Sequence, residues 1–235
     1  MYPRDGWLCW VDGKGCRPVV RAADIPATLG GEVTFNVGNT CAAAAAAICL
    51  GVDPERVGSA LRDFTLSPAI NRGRLNFHRL RDRLVVVDYA HNAPALRQVG
   101  EVLRRLCPRP ILAVVACPGD RSEEAILEVG RTAAEAFDWV VFKEDADLRG
   151  RKRGEVAHLL ERGARELAVR EGAKRPPVGV RYQTILDEAE AVREALTRCP
   201  PGGTVVVFYE KYGVVMGALE EWERSQDMGV LGENA

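Results

Sequence analysis

From about residue 75 onward, short runs of Val, Ile and Leu alternate with stretches of helical period, and no other feature of this 235-residue chain restricts its fold as strongly. The runs Leu84–Asp88, Ile111–Cys117, Trp139–Phe142, Val178–Tyr182 and Thr204–Tyr209 are nearly continuous in apolar residues, as strands buried on both faces require. Between the first two, Leu96, Val99, Leu103 and Leu106 recur at helical spacing. Asn92 stands where a cap is needed and Pro94 in the first turn, so Ala93–Leu106 is expected to be a helix. Ser122 caps a second helix, with Glu123 and Glu124 at its positive end and Ile126, Val129, Ala133 and Phe137 on one face. Two more are expected near Gly154–Val169 and Asp187–Thr197. Strand and helix in strict alternation imply an α/β fold, a Rossmann-like, mostly parallel sheet flanked by helices and joined by right-handed crossovers.

The first 65 residues follow a different pattern. Gly6–Val11 and Arg17–Arg21 flank an Asp12-Gly13-Lys14-Gly15 turn and read as a hairpin. Phe35-Asn36-Val37-Gly38-Asn39-Thr40 leads into an alanine-rich helix over Cys41–Leu50, and a short helix covers roughly Pro54–Phe64. So few elements bury little core, so residues 1–68 are expected to be the tail of a larger domain and residues 69–235 a domain of their own; the segment after Glu223 reads as loose.

Composition narrows the function classes. Lys and Arg total 32 against 33 Asp and Glu, a net charge of −1, so no global field draws the chain to nucleic acid or to an acidic membrane surface. The seven cysteines form no C-x-x-C pair and mostly adjoin apolar residues, which reads as buried thiols in a reducing, cytoplasmic setting. The start has no apolar signal region, and the longest apolar run, Cys41–Leu50, falls far short of the roughly 18 residues of a membrane span. His78 and His158 lack partners at metal-ligand spacing, and no metal site is assigned.

In sheets of this kind ligands bind beyond the carboxyl ends of the strands, and the polar clusters fall there: Asp88-Tyr89-Ala90-His91-Asn92, Pro118-Gly119-Asp120-Arg121, Lys143 to Arg149, and Tyr209-Glu210-Lys211. Arg74 offers a permanently charged fork suited to phosphate oxygens, or else a surface salt bridge. Asp88 can accept ribose hydroxyls or satisfy the turn that follows it, and Asn36 can meet a ligand or cap a helix. His91 suits acid–base chemistry or a hydrogen-bonded turn. Glu144, Asp145 and Asp147 form an acidic loop for a guanidinium or ammonium, or a solvated run offset by Arg149, Arg151, Lys152 and Arg153. Lys211 either holds an anionic group or faces water.

Gly73-Arg74-Leu75, a strand ending in Asp88-Tyr89-Ala90-His91, and the upstream Asn36-x-x-Asn39 with its alanine helix together resemble the Mur ligase family of ATP-dependent amide ligases. Within it the cyanophycin synthetase branch is similar almost throughout, through Ala23-Asp24-Ile25-Pro26, Gly119-Asp120-Arg121, the Glu144-to-Arg151 segment and Tyr209-Glu210-Lys211. The resemblance implies a Mur ligase C-terminal domain preceded by the tail of a Mur central domain. The implied chemistry joins an amino acid, arginine by preference, to a carboxylate through an acyl phosphate. Arg74, Asp88 and Asn36 match family residues at the nucleotide and the transferred phosphate. With them, Arg74, His91 and Lys211 are expected among the catalytic groups, Asn36, Arg74, Asp88 and Asn92 around the nucleotide, and Asp120, Arg121, Glu144, Asp145, Asp147 and Arg149 around the amine substrate.

ATP and Mg2+ are implied as well, yet the phosphate-cradling G-x-x-x-x-G-K-Ser/Thr is missing: only Gly13-Lys14-Gly15 occurs, with Leu8 where the first glycine belongs. Weak or no ATP binding by the chain alone is therefore expected, with a partner chain that carries the phosphate loop. Failing that, the chain is a non-catalytic binding or assembly module. Apolar residues between Trp7 and Leu61 point to a homo-oligomer.

Overall fold

In the computed structural model, which describes residues 1–13, 15–170 and 181–232, the chain divides between Arg72 and Gly73 into two units. Just before the division Ile70 and Asn71 both donate to the Ser67 carbonyl in a turn.

The first unit opens with an antiparallel sheet of β1 (Tyr2–Arg4), β2 (Trp7–Asp12) and β3 (Gly15–Arg21). The expected hairpin is β2–β3, extended by a strand that the sequence did not announce. Leu8, Val20, Ile25, Ala27 and Cys41 form a small core beneath helices α1 (Thr34–Cys49) and α2 (Pro54–Arg62). Helix α1 begins at Thr34 rather than Cys41, with Val33 in the cap position and no side-chain cap, so Asn36 lies inside the helix and does not cap it.

In the second unit the elements run β4 (Asn76–Leu80), β5 (Arg83–Asp88), α3 (Ala93–Leu106), β6 (Ile111–Val115), α4 (Glu123–Ala136), β7 (Trp139–Phe142) and α5 (Glu155–Arg170). They continue with β8 (Arg181–Thr184), α6 (Glu188–Arg198), β9 (Thr204–Phe208) and α7 (Tyr212–Gly232). Strand order is β4-β5-β9-β6-β7-β8, parallel throughout except for the antiparallel β4–β5 pair. This is the Rossmann-like sheet the alternation implied, with β4 added at one edge. The expected run Val178–Tyr182 lies in part outside the described residues; what is described of that strand is Arg181–Thr184. The segment after Glu223 is helical to Gly232 instead of loose.

Period-two alternation splits the strand residues between the sheet faces. Val85, Val87, Leu112, Val114, Val141, Val205 and Val207 meet Ala191, Val192, Leu196, Val215, Leu219 and Trp222 of α6 and α7. The alternate residues, Val86, Ala113, Val140 and Val206 among them, are fully buried on the other side. In-register pairing such as Val86–Val206 and Ala113–Val206 brings the carboxyl ends of β5, β9 and β6 to one edge. Five cysteines are buried; Cys16, near the hairpin turn, and Cys49, at the end of α1, are exposed, contrary to the buried-thiol reading. Among the described residues no helix is long and apolar enough to cross a membrane.

Candidate functional site

Arg74 is presented by a loop whose backbone is held on three sides. Gly73 N–H donates to Asn76 Oδ1 (2.6 Å), Asn76 Nδ2 donates to the Arg74 carbonyl (3.3 Å), and Leu75 N–H donates to Asp88 Oδ2 (2.8 Å). Asp88 Oδ1 accepts from Ala90 N–H at 2.8 Å. Both carboxylate oxygens of this buried aspartate thus serve backbone amides, as the turn-holding alternative expects. Burial pushes its carboxyl above the usual range, opposed by those amides and by the charge of Arg74. The Arg74 guanidinium lies 4.9 Å over the Tyr89 ring and, among the described residues, forms no ion pair.

Tyr89 gathers the neighbouring groups: its ring centroid is 5.2 Å from His91 and 5.3 Å from Tyr209. His91 Nδ1 stands 3.0 Å from the Tyr89 carbonyl, so Nδ1 carries the proton and Nε2 is the acceptor of the neutral ring. Asn92 caps α3, its Oδ1 accepting from Ala95 N–H (3.0 Å). Lys211 is exposed at the entrance of α7 and its N–H donates to Glu188 Oε2 (3.1 Å).

The loop after β7 carries the acidic residues, and the structure separates them. Glu144 is buried, and its two oxygens accept from Gly154 N–H (2.7 Å) and Val156 N–H (3.3 Å), so it secures the start of α5 and does not line the rim. Asp145 puts Oδ1 on Lys143 Nζ at 3.0 Å, and nothing among the described residues bonds its Oδ2. Arg149 donates to Asp120 Oδ2 (2.8 Å), which holds the Asp120 carboxyl below the usual range, and its N–H donates to Asp147 Oδ1 (3.1 Å). Arg121 is exposed, 3.8 Å from Asp120. Gly119 is needed here because a Cβ would stand 2.3 Å from the Leu148 carbonyl oxygen, and Arg151 ties both loops by donating to the carbonyls of Gly119 and Arg121.

One cleft collects Tyr89, His91, Asp145, Asp147, Arg149, Tyr209 and Glu210, floored by Ala90, Ala116, Pro118 and Phe208. Its volume of about 40 Å³ takes the end group of a ligand and not a whole amino acid. Of the expected residues, His91, Asp145, Asp147 and Arg149 line it; Asp120 stands behind Arg149, whereas Glu144 and Asn92 hold helix starts. Sequence reasoning passed over Asn76 and Glu188 and gave Lys143, though counted in a polar cluster, no role. Their signal was faint: polar or charged residues at strand ends and a helix start, which only burial marks out.

In the first unit Asn36 borders a cavity of about 240 Å³ with Asn39, Thr40, Ala27, Ala43, Leu61, Phe64 and Asn71. Asn36 Nδ2 donates to the Ala27 carbonyl (2.7 Å) and its Oδ1 accepts from Asn39 Nδ2 (3.3 Å), which fixes the orientation of the amide.

The family described as Mur ligase, glutamate ligase domain, matches residues 73–208. The chain belongs to the Mur ligase family. Cyanophycin synthetase of Nostoc sp. is 36% identical over 206 residues, 88% of this chain and 22% of its own length. The Synechocystis sp. cyanophycin synthetase is 37% identical over 205 residues, 87% of this chain and 22% of its own. This Mur ligase family chain therefore spans about a fifth of the length of those relatives. Among solved structures it is similar to a UDP-N-acetylmuramoyl-L-alanyl-D-glutamate–2,6-diaminopimelate ligase (TM-score 0.54, 22% identity, 93% of this chain and 42% of that one). MurF from Acinetobacter baumannii has a TM-score of 0.56 at 22% identity over 80% of this chain and 37% of its own. At such identities the likeness is one of fold.

Proposed function

We infer that this chain holds the amine side of an ATP-dependent amide ligase and that the amine is an amino acid with a cationic side chain, arginine first. The observation that carries this reading is the narrow rim cleft in which Asp145 keeps one carboxylate oxygen open beside Arg149. An amino acid such as arginine is a zwitterion with a second positive charge. Asp145 suits the side-chain cation seated in the cleft, and the exposed Arg149 the α-carboxylate left at its mouth, both by charge-assisted hydrogen bonds. In the reaction a carboxylate oxygen attacks the γ-phosphorus of ATP and ADP leaves. The amine nitrogen then adds to the acyl carbon, and the tetrahedral intermediate expels phosphate and loses a proton. His91 Nε2, an acceptor on the lining of the cleft, is placed to take that proton, and Arg74, which forms no ion pair among the described residues, to meet phosphoryl oxygens.

The cavity beside Asn36 suits a nucleotide base, with apolar Leu61 and Phe64 and two oriented amides. The phosphates fare worse: the sequence lacks the glycine-rich loop, and among the described residues no three His, Cys, Asp or Glu side chains stand together as a metal centre. Mg2+ in such a reaction is held chiefly by phosphate oxygens, water and one or two carboxylates, and the described residues add no side-chain cage of their own. Phosphate activation falls to residues outside this sequence, in the same or a partner polypeptide. The missing loop also favours a second reading, an amino-acid-binding module without turnover of its own.

Calorimetry tests both forms of the reading at once. Arginine should bind more tightly than citrulline, its neutral near-isostere, by on the order of 1–3 kcal/mol, and Asp145→Asn with Asp147→Asn should remove the preference. Equal affinities for the two ligands in the unaltered chain would overturn the amine assignment.

A further inference from the structure

Two buried charged residues behind the cleft have no part in the roles assigned so far. The Lys143 side chain is fully buried, its Nζ 3.0 Å from Asp145 Oδ1 and 3.0 Å from Glu188 Oε1. Glu188, the first residue of α6 and itself buried, accepts from the N–H groups of Glu210 (Oε1, 2.7 Å) and Lys211 (Oε2, 3.1 Å) in the loop after β9. The Glu210 carboxylate completes the circuit by accepting from Ala146 N–H (2.7 Å) and Asp147 N–H (3.4 Å) in the loop after β7. A buried ion pair adds little to stability compared with apolar packing, whereas this one fixes the orientation of the carboxylate that faces the cleft. We propose that Lys143 and Glu188 are positioning residues that lock the β7 and β9 loops into a single rigid rim and so set the preference of the cleft for a cationic side chain. This rests on the amine reading above.

The test is Glu188→Gln in the full chain, read by residue-resolved amide hydrogen exchange and by arginine and citrulline affinities. Gln keeps the volume but supplies one acceptor oxygen in place of two and removes the charge opposite Lys143. Exchange should quicken at Glu210 and Lys211 and also at Ala146 and Asp147, which Glu188 does not touch. Arginine affinity should fall about tenfold, roughly 1.4 kcal/mol, while citrulline binding holds. Quickening confined to Glu210 and Lys211, or an equal loss for both ligands, would mean a merely structural role and overturn the proposal. Should the variant not fold, the unaltered chain decides: arginine must slow exchange in both loops together, and protection of one loop alone refutes the coupling. An unaltered chain with no preference for arginine over citrulline overturns the amine reading itself, and the proposal with it.

Discussion

Gly73 sits at a point where no side chain can be added: φ is +67° and a Cβ would lie 2.0 Å from the Tyr209 hydroxyl oxygen. That contact lets the loop lie against Tyr209, and the amides it offers to Asn76 and Asp88 then fix where Arg74 starts. Leu75 accepts a positive φ of +48° in the same loop, a conformation a leucine adopts only when its surroundings impose it. Polar residues in this site are thus divided between holding backbone and facing ligand, and Asp120, behind Arg149, tests how the ligand-facing Arg149 is held. The hydrogen bond from Arg149 depresses the Asp120 carboxyl, with the charge of the guanidinium adding to it. A depressed folded-state pKa means that the pair is fully present above the ordinary carboxylate range and is lost as pH falls through the lowered value. Carbon-detected NMR titration should find Asp120 protonating below free aspartate, and Arg149→Ala should return it to the ordinary range. A normal midpoint in the unaltered chain would show that Arg149 is not held there.

At the scale of elements, the site depends on side chains that begin helices. Glu144 receives the first amides of α5 from the end of β7, ten residues upstream of Gly154 in sequence. Glu144→Gln replaces one acceptor oxygen with a donor against a buried N–H, which costs about 1–3 kcal/mol and, for a chain of this size, roughly 2–4 °C of Tm per kcal/mol. Scanning calorimetry should show that fall with the arginine preference intact; a lost preference at unchanged Tm would return Glu144 to the ligand. The same distinction explains what could be read from sequence. Helix α3 was legible to its ends because Asn92, Pro94 and the leucine spacing are local signals. Strand β4 was not, because Asn76-Phe77-His78-Arg79-Leu80 is polar enough for an edge and its turn at Arg81-Asp82 lacks the Asn-Gly type of signal. The rim clusters were legible as polar strand ends. Which carboxylate meets an amide and which meets solvent is a tertiary fact, as the span from Leu75 to Asp88 illustrates.

For the molecule as a whole, the division at Arg72/Gly73 leaves the two units with unequal resources. The second covers both faces of a six-stranded sheet and owns every residue of the rim cleft. The first encloses a cluster of Leu8, Val20, Ala22, Ile25, Ala27 and Cys41 and leaves Leu50 86% exposed. Domains near 60 residues bury too little surface for a comfortable margin, whereas those of about 150 bury clearly more. A fragment beginning at Gly73 should therefore fold by itself, unfold in one cooperative transition and discriminate arginine from citrulline as the full chain does. The fragment ending at Arg72 should show weak, broad unfolding. Both can be followed by circular dichroism through a thermal ramp, with calorimetry for the ligands. If the Gly73 fragment melts without cooperativity, the sheet is not an autonomous unit. If it folds and the preference is lost, residues before Gly73 belong to the amine site, and the cleft as drawn is incomplete.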